Sequence, residues 1–123
     1  MATIGDRVLD SGLSVLSSEA NRVDICSQEP TTYAEATSTY TLGNTTSITI
    51  ASPADRTGGG RKVTMSAISA ASVTGTGTAT HYSITDTSNS RLLVTGSLTA
   101  SQSVASGNTF SLETLDIGIP DPS

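Results

Sequence analysis

His81 is the only histidine in the chain. A proton-shuttling triad would need a nucleophilic serine and a carboxylate gathered around it. Serines abound and Asp86 lies five positions on, but the Gly-x-Ser-x-Gly turn that exposes a nucleophilic serine is absent. A lone histidine on a strand is far more often a surface or satisfied core residue, so no catalytic residue is expected. Cys26 and His81 stand 55 positions apart and cannot hold zinc without several carboxylates, so neither a metal nor a cofactor is expected. Paired carboxylates for glycoside hydrolysis act through their separation in space, which a sequence does not give. Sugar sites normally present aromatic platforms, and only Tyr33, Tyr40, Tyr82 and Phe110 are on offer.

The stretch Arg56-Thr57-Gly58-Gly59-Gly60-Arg61-Lys62 has chemistry of another kind. Glycines beside basic residues can cradle phosphate, but the phosphate loop requires Gly-x-x-x-x-Gly-Lys-Ser/Thr at the start of a helix. Here Lys62 precedes Val63 and opens a strand. Half of the six basic residues sit in these seven positions, against eleven acidic ones in the whole chain. In so acidic a protein, Arg56, Arg61 and Lys62 form the natural docking loop for an acidic surface on another subunit. The competing reading is a solvated turn.

The elements around these residues follow from periodicity. Ile4, Val8, Leu9, Leu13 and Leu16 fit one face of a helix over 4–18, with Asp6 at the positive end of its dipole; the competing reading is a strand through Leu13 and Val15 that turns at Ser18–Asn21. Residues 22–27 read as a strand with Val23 and Ile25 inward and Asp24 outward, ended by Pro30. Thr32 and Glu35 make a capping box that predicts one or two helical turns at 31–37. Gly43-Asn44 is a turn signal, and Ser47 to Ala51 a short strand through Ile48 and Ile50. Residues 52–60 read as an exposed loop. Residues 61–69 alternate as one strand, 78–98 as a hairpin turning at Asp86–Ser90, and 108–119 as a strand with a bulge near Glu113-Thr114.

About six strands joined by Gly, Ser and Asn-rich turns, with helical pieces only in the first third, predict a mainly β protein. The class is a small antiparallel β-sandwich-like domain. One domain is expected over 1–123: a helical or arm segment at 1–20, the sandwich at 21–119 and an extended tail at 120–123.

Composition points the same way. The 21 threonines and 20 serines make up a third of the chain. Threonine suits a pleated, half-wetted strand, because its β-branch restricts χ1 while its hydroxyl tolerates water. Ile, Leu, Val and Phe number only 25, so the core is thin: an oligomer or larger assembly is an attractive way to add stability, and a marginal but adequate monomer is the equal alternative. A net charge of −5 argues against nucleic acid and anionic membranes as partners. Cys26 stands alone and fits a small packed hydrophobe. No run approaches the roughly 18 apolar residues of a membrane span. Asp6 and Asp10 replace the positive start of a secretory signal, so synthesis in the cytoplasm is expected. Asn44-Thr45-Thr46 matches a glycosylation acceptor, a common chance match in a threonine-rich chain.

Four stretches carry a resemblance: Ile25-Cys26-Ser27-Gln28-Glu29-Pro30-Thr31-Thr32-Tyr33-Ala34-Glu35-Ala36, Gly59-Gly60-Arg61-Lys62-Val63-Thr64, Gly77-Thr78-Ala79-Thr80-His81-Tyr82 and Asp116-Ile117-Gly118-Ile119-Pro120-Asp121-Pro122. They resemble small structural proteins of tailed bacteriophages and prophages, over nearly the whole chain. The resemblance implies a non-enzymatic virion component made in the host cytoplasm and carried in the particle, and it offers no catalytic residues. Decoration or cementing of the capsid exterior is the first expectation, with the major capsid protein or other virion subunits as partners and a homo-oligomeric or assembly-bound state. A tail or neck component is the alternative, and a host-surface glycan or receptor adhesion module is the rival of another class.

Overall fold

The computed structural model describes residues 5–120. Ile4 and the tail residues Asp121, Pro122 and Ser123 lie outside the described residues, as does the Asp6 side chain, so the expectations placed on them are not addressed. Among the described residues the chain is mainly β, with two antiparallel sheets and helical segments confined to the first third, consistent with the expected class. It divides into two compact units. One comprises Met1–Glu19, Thr49–Ala67 and Glu113–Ser123; the other comprises Ala20–Ile48 and Ile68–Leu112.

The larger unit is a six-stranded sheet. Its strands are β1 (Arg22–Cys26), β2 (Thr41–Thr45), β5 (Ile68–Val73), β6 (Gly77–Asp86), β7 (Arg91–Val104) and β8 (Thr109–Leu112), in the order β7-β6-β1-β2-β5-β8. β1 pairs Ile25 with Gly43 on one side and with Tyr82 on the other. Val23, Ile25 and Ile84 are fully buried, with Leu42, Val73, Phe110 and Leu112 nearly so. Each such side chain contributes about 1.5–3 kcal/mol by leaving water.

Asp24 corrects an expectation. It is not outward-facing but fully buried, because its face of β1 is covered by a π-helical turn, Glu35–Thr39. The carboxylate survives burial by being saturated with donors. Arg22 Nε and Nη2 donate to its two oxygens at 2.8 Å each, and Thr41 Oγ1 donates at 2.7 Å. Arg22 also reaches the Thr37 carbonyl at 3.3 Å, which ties the covering turn down. The start of that turn was legible: Glu35 N–H donates to Thr32 Oγ1 at 3.1 Å. The return bonds go to Thr31, whose N–H and hydroxyl both donate to Glu35 Oε1 at 2.8 Å. They hold the Glu35 carboxyl below its usual range.

Four strand expectations are revised. Gly43-Asn44 is no turn; it lies inside β2, where Gly43 is paired on both sides. Ser47 to Ala51 forms no strand and contributes a single bridge, Ile50 to Met65. The apparent strand 61–69 is two, β4 (Arg61–Met65) and β5, which belong to different sheets. The parity change between Leu112 and Leu115 is likewise a passage between sheets, from β8 to β9 (Leu115–Ile119), rather than a bulge. The 78–98 hairpin forms as expected, with β7 continuing to Val104 past an irregularity between Ala79 and His81.

The smaller unit packs the helix α1 (Asp6–Glu19) on β4, the central strand of a three-stranded sheet β3-β4-β9, where β3 is Ala54–Asp55. Leu9, Leu13 and Leu16 are buried at spacings of four and three, as are Val63 and Met65 of β4. Val8, expected on the buried face, is 66% exposed. Its place on the stripe is one residue off the Leu9–Leu13–Leu16 line.

Candidate functional site

Residues 52–60, expected as a plain loop, contain β3 and the turn of a β3–β4 hairpin. Arg56 and Gly60 close it, Arg56 N–H donating to the Gly60 carbonyl at 3.1 Å and Gly59 N–H to the Arg56 carbonyl at 3.1 Å. Gly58, Gly59 and Gly60 have φ of 91°, 104° and 91°, a region that side chains disfavour, and this accounts for three glycines in a row.

Alternation then sorts the three basic residues. Arg61, Val63 and Met65 project to the side of the small sheet that α1 covers, and Lys62 and Thr64 to the other. Arg61 is committed within the chain. Its Nε and Nη2 donate to the two oxygens of Asp10 on α1 at 2.8 and 3.2 Å, and its Nη1 donates to Asp55 at 2.6 Å. It is a clasp between helix and hairpin.

On the opposite face β4 and β9 pair Lys62 with Gly118 and Thr64 with Asp116. Lys62 Nζ lies 3.1 Å from Asp116 Oδ2, and Thr64 Oγ1 donates to Asp116 Oδ1 at 2.7 Å. Those two bonds, Thr64 first, hold the Asp116 carboxyl below its usual range. Arg56 lies flat over Gly118: a Cβ there would fall 2.9 Å from Arg56 Cδ and 3.1 Å from its Nε. Its Nη1 donates to the Gly59 carbonyl at 3.0 Å. Arg56, Thr57, Lys62, Asp116 and Gly118 line an open polar cleft of about 360 Å³. Of the three residues expected at an interface, the structure therefore brings Arg56 and Lys62 together and turns Arg61 away to the helix side.

The other candidates are dispersed. His81 lies between Thr80 Oγ1, 2.9 Å from Nδ1, and Ser97 Oγ, 3.4 Å from Nε2. Asp86 stands five residues along β6, about 16 Å away at strand rise. It serves its own turn, accepting from Ser88 N–H at 3.0 Å and Asn89 Nδ2 at 2.8 Å. Cys26 is fully buried, and burial pushes its thiol up to about 11. Of the aromatic residues, Phe110 is packed in the core and Tyr82 lies against Gly96, where a Cβ would fall 2.6 Å from its hydroxyl oxygen. Among the described residues no three His, Cys, Asp or Glu side chains converge on a point that could hold a metal ion. No helix among them is long and apolar enough to cross a membrane. Asn44 of the glycosylation triplet sits in a central strand, paired with Asp24 and Ser72.

Sequence reasoning missed Asp10, Asp55 and Asp116, the partners that decide what each cation does. Asp10 lies 51 positions from Arg61 and Asp116 54 from Lys62, and no local pattern links them. The Arg22–Asp24 pair had a signal, opposite charges two apart on one strand face. Compared with protein-family models, curated proteins and solved structures, the chain matches none.

Proposed function

We propose that this protein is a non-enzymatic structural component of a tailed-phage virion, decorating or cementing the exterior of the capsid. The observation that carries the reading is the polar face of the small sheet. In a chain of net charge −5, that face sets Arg56 and Lys62 together around one open cleft. Such a face suits an acidic patch on a neighbouring subunit, since complementary charge steers encounter and fixes register. The resemblance to phage structural proteins supplies the assembly; the cleft supplies a place to grip it. Hydroxyl-rich strands that remain wet and acidic keep the free protein soluble until it docks.

Mass spectrometry of purified particles tests the reading, with copy number measured against the major capsid protein. Decoration predicts many copies per particle. A handful would move the protein to the tail or neck, and absence from particles would remove the virion role altogether.

A further inference from the structure

We propose that the Arg56–Lys62 cleft is a binding site for a single carboxylate, presented by an aspartate or glutamate side chain of a partner protein. The partner class rests on the docking role above; the ligand chemistry rests on the cleft itself. Arg56 is held but not used up. Its stem is fixed over Gly118 and its Nη1 on the Gly59 carbonyl, yet a guanidinium carries five N–H donors. Among the described residues Arg56 makes no ion pair. Lys62 borders the same space with three donors, one of them spent on Asp116 at 3.1 Å. The exposed Thr57 completes the rim.

Charge selects the ligand. Arg56 and Lys62 contribute two positive charges and Asp116 one negative, so the cleft carries a net charge of +1. Arg61, Asp10 and Asp55 satisfy one another on the other side of the sheet. A carboxylate neutralises the cleft. A phosphate group, with a charge of about −1.5 to −2, leaves excess negative charge against Asp116. Shape agrees, because the planar fork of Arg56 matches two carboxylate oxygens. Asp116 is thus the specificity-determining residue: it aligns Lys62 and repels dianions.

The test titrates the isotope-labelled full chain with an acetylated, amidated Gly-Glu-Gly peptide, which presents one carboxylate. Inorganic phosphate at matched ionic strength is titrated separately. Amide shifts are followed at residues 57–62 and at Gly118. The peptide should give saturable shifts confined to these positions, and phosphate should bind about tenfold more weakly, ~1.4 kcal/mol. Arg56→Ala should weaken peptide binding, whereas Arg91→Ala, outside the cleft, should not. Asp116→Asn raises the cleft to +2 and should erase the preference for carboxylate. Absent peptide shifts, or phosphate binding as tightly as peptide to the unaltered chain, would overturn the proposal, the latter marking a general oxyanion site instead. An unchanged preference in Asp116→Asn would also overturn it. Particle composition is a separate readout: peptide binding by a protein absent from virions keeps the site and removes the virion role, and the converse result does the reverse.

Discussion

Phe110 on β8 lies across the α-carbon of Gly43 on β2, although β5 separates their strands in the sheet order. A Cβ on Gly43 would fall 2.9 Å from the Phe110 ring and 2.7 Å from the Ser72 carbonyl oxygen. The ring is 3% exposed and the carbonyl belongs to a paired strand, so neither yields easily. Gly43→Ala should therefore destabilise the protein by about 1–3 kcal/mol, the usual range for overpacking. Chemical denaturation checks this, and a loss under about 0.5 kcal/mol, ordinary for a neutral site, would mean that the sheet relaxes there.

The same glycine explains where the sequence was illegible. Gly43-Asn44 looks like a turn because glycine followed by asparagine is locally turn-forming, and only the Ser72 carbonyl and the Phe110 ring, 29 and 67 positions away, give glycine a reason to sit in a strand. Arg61–Ser69 and Asn108–Ile119 each alternate well enough to read as one strand, since alternation reports burial on one face and not which sheet supplies the partner. The helix was legible because Leu9, Leu13 and Leu16 repeat at helical spacing, a stronger pattern than the competing strand through Leu13 and Val15. The mainly β class was plain from threonine. The basic loop was visible as a cluster, but its division into a clasp and a cleft depends on Asp10, Asp55 and Asp116, which meet it only in three dimensions.

Arg61 should matter to folding and its neighbours should not. Arg61→Ser removes two charge-assisted bonds to Asp10 and one to Asp55 around a side chain only 16% exposed. It should cost about 2 kcal/mol, whereas Arg56→Ser and Lys62→Ser should each stay within about 0.5 kcal/mol. Thermal unfolding of the three variants ranks them. Equal effects across the three would show that the clasp contributes nothing special.

Thr85 is fully buried, and its hydroxyl has no hydrogen-bond partner among the described residues. Valine has nearly the same shape without the polar atom. Thr85→Val should therefore stabilise the protein by about 1 kcal/mol, the cost of leaving a buried hydroxyl unpaired. A loss of stability in denaturant unfolding would mean that the hydroxyl finds a partner in solution, with water the first candidate.

Cys26 links stability to alkaline pH. Its thiol moves from an ordinary 9.0 to about 11 because burial disfavours the thiolate. The unfolded chain then releases a proton near pH 9 that the folded chain keeps until near pH 11. The group's contribution is fully present below pH 9 and falls as pH rises to 11, by about 2–3 kcal/mol in all. Burial raises the Tyr82 phenol in the same sense, so Cys26→Ala is the proper reference. The unaltered protein should lose stability more steeply between pH 9 and 11 than Cys26→Ala does, and parallel curves would contradict the shift. Below pH 9 the native thiol should react with disulfide reagents only as fast as the protein opens.

If the protein docks on virions as proposed, particle association should depend on Arg56 and Lys62 but not through folding. The double substitution Arg56→Ser with Lys62→Ser leaves the Arg61 clasp, the three turn glycines and the β4–β9 pairing in place. Replacing all three cations would confound docking with loss of the helix contact, so Arg61 must stay. Exposed ion pairs contribute only about 0–1 kcal/mol each, but pairs desolvated at an interface are worth more. Binding of the unaltered protein to particles stripped of it should weaken as salt rises from 0.1 to 1 M, where the screening length falls from about 10 to 3 Å. The double variant should bind more weakly at low salt and show a flatter salt dependence, the two converging at high salt. If the double variant matches the unaltered protein at low salt, the Arg56–Lys62 face is solvent-exposed in the assembly and docking runs through another surface.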